Sequence, residues 1–542
     1  MVTRRSRIFR NAGGIITMVG DVAPTLDTKS RAIWTEDGRI RALGGEDEIR
    51  RASPTGAEMV DLAGAVVMPG LIDSHAHLLQ TGLGWSRVSL ADARSIDDIV
   101  QAIAERVRAT PDGDWIQCSS RWHETRLREG RLPTVEELDR AAPRHPVYLP
   151  RGGHVVVTNH IGLELAGITA SDTDPEGGQF VRDGERKLTG MLLEAPAFRR
   201  LTRLLPQATE EDRQAALQEA GTAFSRSGIT SVREPGLDVA GVKAYQTAVD
   251  RDHPIRTSLM WRVDLGQTDD ERTEWLEQLG PAPGVQNDGW PEVWGLKITL
   301  DGGVEGGYFK EGYANDPQQH GFPLTSQESL NKFVQRAHTF GWRIGIHVVG
   351  DAAMDMALIA FEGAGPTEQV VRRGHVLEHA FVPPPGGIER TRRLGLGVTL
   401  QHALVYSLGG NMRTYWGEER AANCTPTREW VDSGVAVGAG TDTPVTDFDP
   451  WLNIFGFMTR ETDVAGVLGP EHRITAAEAL RMYTTGSAKI LGAGNVVGSL
   501  EPGKLADFIC LDRDPLSAAP DEVRATRVLR TVVGGRAVHS IG

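Results

Sequence analysis

The sequence has little with which to build a disulfide-stapled, membrane-spanning or nucleic-acid-binding protein. Among 542 residues there are three cysteines, Cys118, Cys424 and Cys510. An odd, widely spaced set is no disulfide framework and suits a reducing compartment; each reads as a small buried hydrophobe. No stretch reaches the ~18–20 apolar residues that span a bilayer. The basic N-terminal residues are not followed by the apolar core of a signal peptide, because GGIITMVG is too short and too rich in glycine. The expected location is therefore cytoplasmic, with no membrane partner. Positive charge is also in deficit: 58 Lys and Arg stand against 72 Asp and Glu, a net charge of −14. That balance favours solubility and argues against nucleic acid as a partner. No internal repeat or low-complexity run occurs, so the 63 glycines and 29 prolines mark dispersed tight turns rather than disorder.

What is present is length and alternation. A chain of this size can hold a large barrel and an accessory domain. The first sixty or so residues read as short strands, and TEDGRI carries an Asp-Gly hairpin signal. The end of the chain reads similarly, ADFICLDRDP being followed by TRVLRTVVGGRAVHS with Gly-Gly at its turn. The middle alternates strand and helix patterns. Candidate buried strands are 71–77, 228–234, 257–263, 295–302, 343–349, 374–380, 397–403 and 434–442. Eight is the number that closes a parallel barrel. The expected class is α/β: a (β/α)8 TIM-like barrel over 67–485 with a composite β-sandwich domain built by residues 1–66 and 486–542. An insertion at about 84–222 follows the first barrel strand. It far exceeds an ordinary connection and must carry its own structure, including a helix in PTVEELDRAA.

Several residues could carry chemistry. Side chains two apart on a strand share a face, so His75 and His77 in PGLIDSHAHL project together at a strand's carboxyl end, where barrels keep their sites. Two imidazoles on one face can hold a divalent cation, although His-x-His alone is a weak motif. Lys297 lies within the apolar run VWGLKITL, where a bare ammonium is costly. Either an ion pair with Asp301 or Glu305 resolves it, or a neutralising modification or metal does. His347 and His379 lie near strand ends and, taken singly, suit core histidines. Asp442 ends GVAVGAGTD, as a ligand or as a cap or turn residue. Five of these six sit at or near the carboxyl ends of expected strands, and Lys297 lies further back in the fourth, from where its long side chain could reach the barrel mouth; core histidines and caps have no reason to sort that way.

With these pieces assembled, the chain resembles the amidohydrolase superfamily over nearly its whole length. The matching parts are PGLIDSHAHL, Lys297, His347, His379, TDTP at Asp442 and GSLEPGKLADFICLD. Within it the chain is similar to the branch containing N-substituted formamide deformylases, through LPTVEELDRAAPRHPVYL, GGHVVVTN, LTGMLLEA, GLKITLDGG and TPTREWVDSGVAVGAGTDTPV. The resemblance implies one or two divalent metals, zinc first among them. His75, His77 and Asp442 would hold one. His347 and His379 would hold a second, with a carboxylated Lys297 bridging the two. It implies hydrolysis by metal-activated water with Asp442 as the catalytic proton carrier. His154 becomes a candidate substrate contact, though a turn histidine serves as well there. Trp122, Tyr308, Trp451 and His402 are candidates for the pocket wall. WHE at 122–124 and REPG at 233–236 depart from the branch pattern.

The leading expectation is a metal-dependent hydrolase cleaving a C–N bond, of amide or formamide type, in a small neutral or partly apolar substrate. Deamination of a cyclic amidine, or ester, lactone or carbamate hydrolysis, could use the same centre. A non-catalytic regulatory or ligand-binding protein is the reading of another class. A homodimer is the default assembly.

Overall fold

The computed structural model describes residues 6–20, 23–175, 177–250, 253–284, 289–290 and 292–541. Its centre is an eight-stranded parallel sheet: β1 Leu71–Asp73, β2 Ile229–Leu237, β3 Arg256–Arg262, β4 Val293–Thr299, β5 Ile344–Val348, β6 Val376–His379, β7 Gly397–Leu400 and β8 Ala436–Ala439, hydrogen-bonded in that order. Each lies within or overlaps one of the eight expected segments. These strands are buried on both faces, which is why they read as near-continuous apolar runs rather than alternating ones. Hydrogen bonds just past the strand ends link β1 to β8: Ser74 N to Ala439 O at 2.9 Å and Asp442 N to His75 O at 2.8 Å. The sheet is thus a nearly closed TIM-like barrel.

The connecting helices start on local signals. Thr209 and Asp212 form a capping box ahead of Glu210–Arg226, and the Ser326 side chain caps Gln327–Thr339. Their apolar faces join the inner strands in one core that includes Leu217, Phe224, Phe333, Ile346, Leu377 and Val398.

The long connection after β1 carries its own five-stranded sheet, ordered Gln179–Arg182, Leu188–Leu193, Val155–Val157, Val147–Arg151, Ile116–Gln117. A separate core of Ile99, Ile103, Ile116, Leu138, Val147 and Leu149 holds it together. The expected helix forms over Val135–Ala141 with a Thr134–Glu137 capping box.

At the chain ends, Ala32–Glu36 and Arg39–Gly44 pair across Asp37 and Gly38, both at positive φ, the hairpin that Asp-Gly announces. Val66–Pro69 pairs with Phe508–Leu511, so both termini contribute to one sheet. That strand runs on to Pro69, past the boundary expected at 66. Gly70 then turns the chain into β1; a methyl there would lie 2.3 Å from the Thr230 side chain. Among the described residues no helix is long and apolar enough to cross a membrane, and Cys118, Cys424 and Cys510 are buried and unpaired.

Candidate active site

The carboxyl ends of β1, β4, β5, β6 and β8 converge on one buried cluster. His75 Nδ1 lies 2.7 Å from Glu378 Oε2. That carboxylate also takes both short contacts from Arg233 NH2, 2.7 and 2.6 Å, and the Thr399 hydroxyl at 2.6 Å. Burial alone would raise the Glu378 pKa, but Arg233, His75 and Lys297 outweigh it and hold it well below the usual range. An ionised Glu378 can only accept, so His75 Nδ1 carries a proton and Nε2 is the ring nitrogen left for another partner. Nε2 stands 3.3 Å from Asp442 Oδ1, and His77 Nε2 approaches the same oxygen at 3.3 Å. Burial pushes the Asp442 carboxyl up, yet His75 and His77 hold it well below its ordinary value. Ligand atoms of His75, His77 and Asp442 all lie within 4.8 Å of one another. Two imidazole nitrogens set against one carboxylate oxygen need protons or a cation between them. The donor set fits a divalent metal.

The other expected ligands share this mouth. The His379 ring stands 4.7 Å from His75 and 4.6 Å from His347. His379 Nδ1 is held by Gln401 Oε1 at 2.7 Å, leaving Nε2 free of that contact. Lys297 Nζ is buried with no hydrogen-bond partner among the described residues. Burial pulls its pKa down to about 8 against the pull of Glu378 and Asp442. The ion pairs that sequence offered to it do not form. Asp301 instead accepts from the backbone N–H groups of Tyr308, Val349 and Gly350, and Glu305 pairs with Arg151 at 2.8 Å. His379 and Asp442 both sit at positive φ, 70° and 57°. Such backbone costs of order 1–3 kcal/mol for a residue without glycine's freedom and gathers at functional sites.

A cleft opens on His347, His379 and Asp442. Its walls include His154, Val304, Phe381, Leu404, Leu408 and Val445. His154 is braced by Glu194, Nδ1 to Oε2 at 2.8 Å, and its ring lies 5.4 Å from that of His347. Burial would lower the His154 pKa, but Glu194 raises it above the usual value. Glu194 is itself held at φ 64°. On the far side of the cluster, His77 and Glu234 line a second, wider cleft together with Arg262 and Asp238.

The four residues expected on the pocket wall lie outside the lining of this cleft. Trp122 is 1% exposed in the insertion's own core, its indole N–H donating to Pro150 O at 2.9 Å. Its neighbour His123 lines the cleft instead. Tyr308 packs half-buried on the barrel core. His402 opens the helix His402–Trp416 and turns towards Pro450–Thr459, packed against Gly456 and Phe457. Trp451 is likewise in the barrel core. In each case a large ring near a strand end found an apolar neighbour before it found the cavity.

Sequence reasoning missed Arg233 and Glu378, both wholly buried, with the guanidinium also 4.4 Å over the Trp294 ring. The signal was available: a charge inside an apolar strand, as with Lys297, stands in GITSVRE and again in GHVLEHA.

Comparison with known proteins agrees with this arrangement. A family model described as "Amidohydrolase family" matches residues 58–539. The chain is similar to an N-substituted formamide deformylase of Arthrobacter pascens, 30% identical over 529 residues, 94% of this chain and 96% of that one. It is also similar to the putative amidohydrolase YtcJ of Bacillus subtilis, 29% identical over 531 residues, with the same coverages. A solved structure of an uncharacterized metal-dependent hydrolase from Pyrococcus horikoshii superposes with a TM-score of 0.73 at 24% identity, covering 95% of this chain and 99% of the other. At that identity the superposition speaks to the fold.

Proposed function

The chain belongs to the amidohydrolase family and is a metal-dependent hydrolase acting on carbon–nitrogen bonds; on that premise we propose that it cleaves the amide or formamide-type bond of a small, neutral, partly apolar substrate. The observation that carries the reading is that His75 Nε2 and His77 Nε2 both stand 3.3 Å from one oxygen, Asp442 Oδ1, with Lys297 Nζ buried and lacking a hydrogen-bond partner among the described residues.

A divalent cation on His75, His77 and Asp442, zinc in the first instance, with a second position at His347 and His379 and a carboxylated Lys297 serving both, would supply Lewis acidity and a water of lowered pKa. Asp442 accepts a proton from the attacking water and returns it to the leaving amine. Carboxylation turns the Lys297 amine, which lacks a partner, into an anionic oxygen donor in keeping with its surroundings. His154, oriented by Glu194, touches the substrate where the cleft meets His347. Phe381, Leu404, Leu408 and Val445 receive the apolar substituent and keep water from it. The wall's apolar character and its resemblance in sequence to a formamide deformylase support a linear amide.

The test pairs metal analysis with a substrate panel. Purified protein should carry about one or two equivalents of a divalent metal and release primary amine from N-benzylformamide or a related linear amide. A preparation with well under one equivalent, inert after metal addition, would end the hydrolase reading. Ammonia from a cyclic amidine, with linear amides untouched, would replace the substrate class.

A further inference from the structure

The cleft has a second polar end that the hydrolytic residues do not use. His123 lines it and is 2% exposed, yet neither Nδ1 nor Nε2 has a hydrogen-bond partner among the described residues. A buried imidazole left with both an unmade donor and an unmade acceptor is costly, and native proteins rarely keep one without a ligand or water to satisfy it. The surroundings keep the ring neutral: burial, then Arg151 and Arg126, hold its pKa well below the usual value. Both guanidiniums are already engaged. Arg151 pairs with Glu124 at 3.0 Å and with Glu305 at 2.8 Å. Arg126 pairs with Asp463 at 2.5 Å. No spare positive charge awaits a carboxylate here, and the two arginines disfavour an ammonium. Room exists for a substituent beside this ring. Gly152 and Gly153 line the same cleft, and a methyl on Gly153 would meet nothing within 4 Å. Leu404, Leu408 and Phe381 complete an apolar wall.

We propose that His123 is a specificity-determining residue whose neutral ring hydrogen-bonds an uncharged hydroxyl on the apolar substituent of the substrate. A hydroxyl can accept from the ring N–H or donate to the bare nitrogen, so it matches either tautomer. The class of substrate that follows is an amide bearing a phenolic or alcoholic group distant from the scissile bond. This rests on the amide reading of the same site.

The experiment separates the two claims by measuring binding apart from turnover. Full-length metal-loaded protein is titrated calorimetrically with benzamide, 4-hydroxybenzamide, 4-carboxybenzamide and 4-(aminomethyl)benzamide, and hydrolysis of each is followed independently. The hydroxyl compound should bind roughly three- to tenfold tighter than benzamide, the yield of one net neutral hydrogen bond. In His123→Leu that ratio should fall to about one. His123→Gln, which keeps a donor and an acceptor, should retain part of it and guards against a folding defect in the leucine variant. A hydroxyl preference surviving in His123→Leu overturns the proposal, as does tightest binding of either charged compound or binding of none of the four. Hydrolysis of none of them and none of N-benzylformamide, with the hydroxyl preference intact, would count against the amide reading alone.

Discussion

The two ends of the barrel bury the same kind of residue and treat it in opposite ways. At the amino end, His375 precedes β6 and is fully enclosed. Ile344 N donates to its Nδ1 at 3.1 Å, so Nε2 carries the proton, and His338 Nδ1 stands 3.0 Å from it. Burial, with His338 and Arg373, keeps this ring neutral. Every polar atom of His375 is spoken for. At the carboxyl end, His75 is equally enclosed, yet its Nε2 and that of His77 crowd one carboxylate oxygen, Lys297 Nζ has no hydrogen-bond partner among the described residues, and two of the expected ligand residues hold positive φ. A buried histidine is therefore no sign of function. A set of buried polar atoms with complementary needs and no protein partner is.

Breaking the carboxyl end should have the largest effect. His77→Ala and Asp442→Asn are expected to bring turnover to background with the far-ultraviolet circular dichroism of the parent. Full activity in either variant would remove the assignment. Next comes Glu378→Gln, which disturbs both sides of the contrast. It weakens the orientation of His75, so metal affinity in competition with a chelator should drop ~10–100-fold. It also leaves Arg233 buried beside a neutral amide, at a cost of about 3–5 kcal/mol in denaturant unfolding. Unchanged metal affinity would mean that Glu378 braces the fold alone. The amino end gives the converse. His375→Leu strips the partners of Ile344 N and His338, and should lower stability by about 1–3 kcal/mol while kcat/KM of the folded protein stays the same. Loss of activity there would erase the distinction between the ends.

The smallest effect belongs to a partly exposed pair outside both. Glu478 caps Ala476–Arg481 through Thr475 and meets Arg428 at 2.7 Å. Burial opposes its ionisation, but Arg428 and Thr475 lower its pKa to about 2. A depressed carboxyl stabilises the fold above its unfolded pKa and loses that contribution as pH falls through the folded value. Because solvent screens this pair, Glu478→Gln should cost roughly 1 kcal/mol at neutral pH. The gap to the parent should narrow between about pH 4.5 and 2. A gap independent of pH would assign the effect to helix propensity instead.

Much of this was legible one segment at a time. All eight barrel strands could be read because strands buried on both faces leave apolar runs of diagnostic length, and the hairpin at Asp37–Gly38 because few residues tolerate that turn. The six expected ligand residues were legible as polar intrusions at or near the ends of such runs. The pocket wall was not. Trp122 and His123 are adjacent, and which of two neighbours enters a cavity depends on how the insertion's sheet is docked over the barrel. His402 was placed at a strand end correctly, but it begins a helix whose packing against Gly456 turns the ring away.

The sequence by itself determined the barrel, the end of it that holds the chemistry, and the residues that gather there, because periodicity and strand termini are local properties. Tertiary structure alone decided which of those buried polar atoms are satisfied. The partner of His75 Nδ1 lies 303 positions further along the chain, and that of Asp73 is Thr441, 368 positions away. Hydrogen bonding acts over about 3 Å of space and takes no account of distance along the chain. Hence the meeting of His75 and His77 on Asp442 and the unpartnered ring of His123 became visible only once the strands and the insertion were brought together.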